Sequence, residues 1–276
     1  MLPSYTADSD LASIQLVATD MDLTLLHDDK SMPTGMDERI EALAQRGIVF
    51  CAASGRPLPA LRESFADSWE RMALVGDNGG TVWYEGKTIF RSLIDVALYQ
   101  ELLGRVIEDG RGIPVLCSFE EAYVLERHRE HHEELSIYYK KIIYVPSFTG
   151  IAADANKVSI LCPAWNSTEL FREVFGPEFG GRLYVTCAGG EWIDFMNLGV
   201  DKGAGIRHLA EHLGIELADV AAFGDTYNDI PMLDIVGHSI IVSNAAAHME
   251  AHARFCCPSN TDEGVPEALD AIIAAR

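Results

Sequence analysis

Two aspartates near the start of the chain, Asp20 and Asp22 in the segment DMDLT, have a type and spacing that could do chemistry. They follow an apolar segment, 14–19, that is typical of a buried strand. Two carboxylates at this spacing can converge, and at about 4 Å they repel by about 4 kcal/mol when the effective dielectric is near 20. A metal ion or a held proton would relieve that repulsion. The alternative is an ordinary pair of solvated loop acids.

Two other segments could hold an anion. Ser54 and Gly55 end a second apolar segment, where a hydroxyl and a glycine would bring backbone N–H groups close to a phosphate. Lys202 opens a predicted helix, and a lysine in the first helical turn opposes the helix dipole unless an anion is bound there. The alternatives are a structural turn at Ser54 and an exposed surface lysine at position 202.

A second acidic segment, GDTYND (224–229), follows the apolar run VAAF. We expect Asp225 at the tip of that strand, with Asn228 and Asp229 reaching the same place from the next turn. Three oxygen-bearing side chains within five residues suit a hard cation such as Mg²⁺. The alternative is a turn rich in Asn and Asp that caps a helix.

These segments lie where predicted strands end or helices begin. Apolar strands that alternate with helices indicate a parallel sheet covered on both faces, and ligands of such sheets bind beyond the carboxyl ends of the strands. We therefore predict an α/β fold with a doubly wound parallel sheet, whose rim carries all of the segments above. The predicted strands are 14–20, 48–54, 72–76, 220–224 and 239–243.

The alternation is interrupted in the middle of the chain. A hairpin with a turn at Glu85-Gly86 begins a stretch of mixed strands and helices, and seven of the nine tyrosines lie between Tyr84 and Tyr184. We predict a core domain made of residues 1–82 and 195–276, with an inserted α+β domain at 83–194.

Composition restricts the partners. The chain has 276 residues, and 21 Lys and Arg against 42 Asp and Glu give a net charge of −21, which argues against nucleic acid and anionic membranes. No apolar run exceeds the six residues 48–53, and the start of the chain has no secretory signal pattern. The six cysteines include no C-x-x-C pair, so we expect reduced thiols. We expect a cytoplasmic protein, either a monomer or a weak homo-oligomer.

In their order, the motifs DMDLT (20–24), ASGR (53–56), Lys202 and GDTYND (224–229) resemble those of the haloacid dehalogenase superfamily of phosphatases. More narrowly, the chain looks like the Cof-type, sugar-phosphatase-like branch. Its members carry a large α/β cap between the second and third motifs. Further similar stretches are DNGG (77–80), DIPML (229–233), SNA (243–245) and SNTDEGV (259–265). The resemblance covers nearly the whole chain after residue 13 and implies a Rossmann-like core. One departure is Leu23, where the family most often has Gly.

The resemblance also implies roles. Asp20 would be the nucleophile that forms an aspartyl-phosphate, and Asp22 would be the general acid and base, which requires a carboxyl pKa raised toward neutrality. Mg²⁺ would be held by Asp20, the backbone carbonyl of Asp22, and Asp225, with Asp229 in support. The groups that would hold the phosphoryl oxygens are Ser54, the Gly55 N–H, Lys202 and Asn228.

The inserted domain should close over the site and select the leaving group. Candidate selectors are Arg127, Arg129 and Tyr123. The spacing of His128, His131 and His132 places them on one helix face, where a solvated polar surface is favoured over a zinc site because no partner residues are evident. His27 either approaches the substrate or belongs to a surface loop.

The implied function is a phosphatase of small phosphorylated metabolites, such as a sugar phosphate, FMN or pyridoxal phosphate. The sequence does not name the substrate. A phosphomutase stays open, as does a non-catalytic phosphate- or metal-binding regulator, although the retention of Asp20 and Asp22 speaks against the latter. A signalling receiver domain is disfavoured because it would lack the GDTYND segment.

Overall fold

The computed structural model of the chain describes residues 2–188 and 190–276. In its first part, the parallel strands have almost entirely buried side chains, as expected of a sheet covered on both faces. The elements in chain order are β1 (Leu16–Thr19), α1 (Met36–Gln45), β2 (Val49–Ala53), α2 (Leu58–Ser64), β3 (Ala73–Gly76), β4 (Thr81–Tyr84) and β5 (Lys87–Arg91).

The second part forms a separate sheet with its own helices. Asp95 caps its longest helix through its side chain, and Gly110 in the left-handed conformation ends it. The elements are α3 (Val96–Asp109), β6 (Ile113–Ser118), β7 (Ala122–Leu125), α4 (His132–Tyr138), β8 (Ile142–Val145), β9 (Ala155–Leu161), α5 (Ser167–Leu170), α6 (Gly176–Phe179), β10 (Leu183–Ala188) and β11 (Trp192–Asn197). A π-helical turn, Phe171–Phe175, joins α5 to α6.

The last part returns to the first sheet. Asp201 caps the helix that opens with Lys202, since its side chain accepts from the Ala204 N–H at 2.7 Å. The elements are α7 (Lys202–Leu213), β12 (Val220–Gly224), α8 (Ile230–Leu233), β13 (His238–Val242), β14 (Phe255–Cys257) and α9 (Gly264–Ala275).

Within the described residues, the first sheet has eight strands in the order β14-β13-β12-β1-β2-β3-β4-β5. It is parallel from β14 to β3 and antiparallel from β3 to β5. Strand β1 lies between β12 and β2, with Thr19 opposite both Phe223 and Ala52. The residues that follow these three strands therefore meet at one edge of the sheet.

Apolar side chains fill both faces of this sheet. One core cluster joins it to α1 and α9 through residues such as Ile40 and Leu269, and the other joins it to α7 through Ile206 and Leu209. The predicted doubly wound α/β fold is confirmed.

The second sheet has six strands in the order β10-β11-β9-β6-β7-β8, antiparallel except between β7 and β8. One face packs on α3 and the α5–α6 segment. A smaller cluster that includes Leu135, Tyr139 and Trp192 forms a second core.

The hairpin with its turn at Glu85-Gly86 lies in the first sheet, where β4 pairs with β3. The second sheet and its helices span residues 96–197, so the predicted boundary at 82/83 falls inside the hairpin. Where the domains divide stays a prediction, and we propose that the inserted unit begins after Arg91. In the described part of the chain, none of the helices has the length and apolar character needed to cross a bilayer.

Candidate active site

The edge where β1 and β12 end carries a cluster of three carboxylates around one lysine. Carboxylate oxygens of Asp20, Asp225 and Asp229 lie within 4.8 Å of one another. The Lys202 ammonium donates to Asp20 Oδ1 at 2.5 Å and to Asp229 Oδ1 at 2.7 Å. Lys202 is fully buried, so the alternative of an exposed surface lysine is wrong.

The turn after β12 fixes Asp229 behind the other two acids. Its Oδ2 accepts from the backbone N–H groups of Asp225 and Thr226 at 2.9 and 3.1 Å. Gly224 makes this close approach possible, because a Cβ there would lie 2.5 Å from the Asp229 Cβ. Asp229 is completely buried, whereas Asp20 and Asp225 line a cavity.

Three carboxylates share one lysine in this cluster, and burial and mutual repulsion raise the pKa of two of them. Burial raises the pKa of Asp20 to about 7, even though Lys202 opposes the shift. Burial, and then the charges of Asp229 and Asp20, raise the pKa of Asp225 to about 8, and Thr24 donates to its Oδ1 at 3.0 Å. Burial lowers the pKa of Lys202, but Asp20 and Asp229 outweigh it and raise that pKa overall.

Asp22 has a different environment. Its carboxylate accepts two hydrogen bonds from the Arg56 guanidinium, at 2.9 and 2.6 Å, and pairs with Lys30 Nζ at 2.9 Å. Burial raises the pKa of Asp22, but Arg56 and Lys30 together outweigh it and hold the pKa below its usual value. The expected pKa near neutrality is wrong for this arrangement.

Three of the four predicted phosphate-binding groups lie around the same cavity. Ser54, Gly55 and Asn228 line it together with Asp20 and Asp225. Ser54 Oγ accepts from the Arg56 N–H at 3.1 Å, which closes the turn after β2. Lys202 does not line the cavity. It lies behind Asp20 and contacts the carboxylate that does. Asn228 Nδ2 donates to Asn78 Oδ1 at 3.0 Å, while Asn228 Oδ1 is buried without a hydrogen-bond partner among the described residues.

The cavity has a volume of about 490 Å³ and lies between the two sheets. The inserted unit, which contains the six-stranded sheet, contributes mainly aromatic and apolar side chains to the cavity. The larger ones are Ile137, Tyr138, Tyr139, Trp165 and Trp192.

The predicted selectors are elsewhere, since Arg127, Arg129 and Tyr123 do not line this cavity. The Arg129 guanidinium lies 4.1 Å from the centre of the Tyr144 ring, and Tyr123 donates to Glu121 at 2.6 Å. Sequence reasoning failed here because the inserted unit has no strand-end signal to show which side faces the site.

A second buried lysine cluster was not identified from the sequence. Lys157 Nζ donates to the Gly55 carbonyl at 2.6 Å and lies 3.5 Å from Asp77 and 3.7 Å from Asp194. Burial lowers the pKa of Lys157, but Asp194 and Asp77 raise it overall. The available signal was a lysine inside the strand sequence ANKVSIL.

The histidines of the inserted unit are engaged individually. His131 contacts Glu134 at 2.8 Å, His132 contacts Tyr144 at 3.1 Å, and His128 accepts from Arg127 at 3.2 Å. Among residues 2–188 and 190–276, Asp20, Asp225 and Asp229 form the single group of three acidic, His or Cys side chains close enough to share a metal ion.

His27 does not line the cavity but contacts Ser31 at 3.0 Å. All six cysteines are free thiols.

Comparison with known proteins gives consistent matches along the chain. Residues 17–269 match the family model of haloacid dehalogenase-like hydrolases. The chain is 30% identical over 269 residues to the 5-amino-6-(5-phospho-D-ribitylamino)uracil phosphatase YbjI of Escherichia coli, covering 95% of this chain and 97% of that protein. It is 25% identical over 244 residues to the HMP-PP phosphatase of Cronobacter sakazakii, covering 86% and 87% of the two chains.

Solved structures agree with this match. The crystal structure of a Streptococcus mutans protein superposes with a TM-score of 0.88 at 25% identity, covering 95% of this chain and 99% of that one. A HAD/COF-like hydrolase from Plasmodium vivax has a TM-score of 0.86 at 24% identity, covering 96% and 97%, and supports the fold.

Proposed function

The chain belongs to the haloacid dehalogenase-like hydrolase family as a phosphoric monoester hydrolase, and we propose that it hydrolyses small phosphorylated metabolites with Mg²⁺ through an aspartyl-phosphate on Asp20. The observation that carries this proposal is the convergence of Asp20, Asp225, Asp229 and Lys202 at one edge of the core sheet. These residues come from three separate stretches of the chain, and a purely structural ion pair would not need a third carboxylate.

Asp20 suits the role of nucleophile because its carboxylate lines the cavity, while Lys202 holds Oδ1 in place. The carboxylate attacks phosphorus, a new P–O bond forms, and the ester P–O bond breaks with its electrons going to the leaving oxygen. Ser54, the Gly55 N–H and Asn228 are positioned to hold phosphoryl oxygens during this step. Water then attacks the aspartyl-phosphate and releases phosphate.

The acidic cluster fits a magnesium ion. Its oxygens are mutually close, and the cluster holds three carboxylates against one lysine, which leaves surplus negative charge. We propose that Asp20, the Asp22 backbone carbonyl and Asp225 would hold the ion, with Asp229 orienting its neighbours from behind. When bound, Mg²⁺ would supply charge neutralisation between the carboxylates and the anionic phosphoryl group.

Asp22 is proposed as the group that protonates the leaving oxygen and later takes a proton from water. Because Arg56 and Lys30 favour its ionised form, the carboxyl must leave this ion pair before it can carry a proton. Replacing the acid with an amide should reduce turnover by about 10²–10⁴-fold, the usual contribution of general acid–base catalysis. Unchanged turnover in Asp22→Asn, measured at saturating substrate, would contradict this role.

The substrate class is proposed from the relatives and the cavity together. The E. coli and C. sakazakii relatives are named for phosphorylated compounds, and the cavity volume of about 490 Å³ is in the usual range for a metabolite. Sugar phosphates, FMN and pyridoxal phosphate are the first candidates. The free thiols of all six cysteines fit a reducing compartment, and we propose a cytoplasmic location.

The test is phosphate release from p-nitrophenyl phosphate and from a panel of phosphorylated metabolites. We expect turnover with Mg²⁺, loss of turnover in EDTA, and recovery when Mg²⁺ is restored. Asp20→Asn should abolish both turnover and the acid-stable labelling of the enzyme by ³²P substrate. Full activity in EDTA or in Asp20→Asn would overturn the proposal, and transfer of phosphate to a second sugar hydroxyl without release would instead indicate a phosphomutase.

A further inference from the structure

Exposed apolar side chains gather at the cavity in an unusual way. The large hydrophobic residues that are exposed in the described part of the chain are Leu23, Leu93, Val96, Ile137, Trp165, Leu198 and Tyr227. Three of these, Leu23, Ile137 and Trp165, line the same cavity, with exposed fractions of 43%, 48% and 69%. Exposed apolar groups that share one cavity indicate a ligand that covers them.

Trp165 and Leu23 share a second property. Both have a positive φ, 56° and 63°, although neither is a glycine. This left-handed backbone is strained for a bulky residue and persists where the surrounding structure imposes it. The Asn244 side chain holds the Leu23 carbonyl at 2.8 Å, and the Trp165 N–H donates to the Cys162 carbonyl at 3.0 Å. One strained apolar residue from each unit is thus held at the cavity.

The chain also leaves room for the indole. A Cβ at Gly190 would lie 2.9 Å from Trp165 Cε3, so any other residue would push the ring away from this position. The backbone of Gly190 is itself held in place, because the Ser167 N–H donates to the Gly190 carbonyl at 3.1 Å. The Trp165 ring is therefore placed by its surroundings although most of its surface is exposed.

The cavity lining also contains a guanidinium plane next to an aromatic ring. The Arg56 guanidinium lies 5.7 Å from the centre of the Tyr138 ring, and both residues line the cavity. Flat, polarisable surfaces of this kind bind the faces of conjugated rings better than they bind flexible polyols.

We propose that Trp165, Leu23 and Ile137, which all line the cavity, form an apolar clamp that makes this enzyme prefer phosphate monoesters whose leaving group carries a planar aromatic or heteroaromatic ring. The proposal rests on the proposed phosphatase function, and it identifies these residues as specificity-determining. They touch the leaving group only, so they should affect the choice of substrate and not the chemistry at Asp20.

The test compares a ring-bearing ester with an aliphatic one. In the wild type, kcat/KM should be higher for FMN than for glycerol 2-phosphate, since both are alkyl phosphates and differ in the ring. Trp165→Ala should lower kcat/KM for the ring esters by about tenfold or more, as expected when one stacking ring is removed, and leave glycerol 2-phosphate nearly unchanged. Trp165→Phe should keep most of the preference, and Leu23→Ala should lose part of it.

Val96→Ala is the matched control, since Val96 is also an exposed apolar residue but does not line the cavity. Val96→Ala should leave kcat/KM unchanged for both the ring esters and glycerol 2-phosphate. Equal losses on both substrates in Trp165→Ala, or no preference for ring esters in the wild type, would overturn the clamp while leaving the phosphatase function intact.

A binding measurement separates the two proposals. FMN binding to an Asp20→Asn protein, followed by calorimetry, should weaken about tenfold or more when Trp165→Ala is added, whereas glycerol 2-phosphate binding should not change. If the wild type releases no phosphate from any ester, the phosphatase function fails, and this binding difference still decides whether the clamp exists.

Discussion

Two lysines are buried in the described part of the chain, each with two carboxylates nearby, and they differ in what completes their surroundings. In the core, Lys202 contacts Asp20 and Asp229 at 2.5 and 2.7 Å. In the inserted unit, Lys157 lies farther from its acids, at 3.5 and 3.7 Å, and makes its short contact of 2.6 Å with the Gly55 carbonyl of the core.

The carboxylates of the Lys157 cluster accept hydrogen bonds from neutral polar groups, although Asp77 Oδ1 is buried with no hydrogen-bond partner among the described residues. Asp77 accepts from Asn156 at 2.6 Å, and Asp194 accepts from Ser159 at 2.6 Å and from Asn78 at 2.8 Å. Because these bonds join residues of both sheets, the cluster links the two units next to the cavity.

The Lys202 cluster instead has a third carboxylate, Asp225, whose pKa is raised to about 8. The Lys157 cluster therefore connects the two units, whereas the Lys202 cluster leaves room for a cation. The groups around each lysine make this difference, since both lysines are buried beside two carboxylates.

Breaking the Lys157 cluster should have the largest effect, and the effect should be on stability. Lys157→Met removes the only cation that we find close to Asp77 and Asp194 within the described residues. Leaving buried carboxylates without it should lower the free energy of unfolding by about 3–5 kcal/mol. Urea unfolding checks this value. Added Mg²⁺ should not restore the loss, and a variant as stable as the wild type would show that the cluster does not link the units.

Breaking the Lys202 cluster should affect turnover most. Lys202→Met removes the cation that orients Asp20 and offsets charge near the phosphoryl group, and we expect kcat to fall by about 10²–10³-fold, as when one charge-stabilising donor is lost. Steady-state kinetics with p-nitrophenyl phosphate measures this fall. The comparison fails if Lys157→Met reduces kcat as much as Lys202→Met does.

The metal preference of the two clusters provides a third test. Mg²⁺ at about 100 times its Kd should stabilise the wild type by about 2.7 kcal/mol, because it binds only the folded state. Asp225→Asn should abolish this gain, whereas the matched variant Asp194→Asn should start less stable but keep the gain. Thermal unfolding with Mg²⁺ and with EDTA measures both. If stabilisation by Mg²⁺ survives Asp225→Asn and disappears in Asp194→Asn, the ion binds at the Lys157 cluster and not at the Lys202 cluster.

The last expected effect is a dependence on pH. The pKa values of Asp20 and Asp225 are raised from 3.8 to about 7 and about 8, so the metal-free folded state binds more protons than the unfolded state. This contribution to stability is fully present below about pH 4 and is lost as the pH rises through 7 to 8.

Mg²⁺ requires the ionised carboxylates, so the stabilisation by Mg²⁺ should grow between pH 6 and pH 8, by at most about 1.4 kcal/mol per pH unit for each proton released. Melting curves of the wild type at both pH values, with and without Mg²⁺, measure the change. A gain that is the same at pH 6 and pH 8 would contradict the raised pKa values.

Much of the site was predictable because it lies where parallel strands end. Asp20 and Asp225 follow buried strands in the sequence, and neighbouring parallel strands must bring such residues to one edge. The same reasoning could not show that Lys202 is buried, since its partner Asp20 lies 182 positions away. Nor could it give the pKa of Asp22, which depends on contacts with Arg56 and Lys30.

The inserted unit was the least predictable part. The sequence predicted only a mixture of strands and helices there. Which of its side chains line the cavity depends on how the six-stranded sheet is placed beside the core, and Arg127, Arg129 and Tyr123 proved to be elsewhere. The hairpin Thr81–Arg91 was also recognisable as a hairpin, yet only its pairing with β3 assigns it to the first sheet.

The sequence by itself determined the alternation of strands and helices, the chemistry of the strand ends and the family, since these follow from local patterns of apolar, acidic and glycine residues. The tertiary structure alone decided which lysines are buried, how many carboxylates gather around each of them, and which aromatic side chains reach the cavity. The physical reason is that burial and charge balance are properties of groups brought together across long distances in the chain, and no local pattern specifies them.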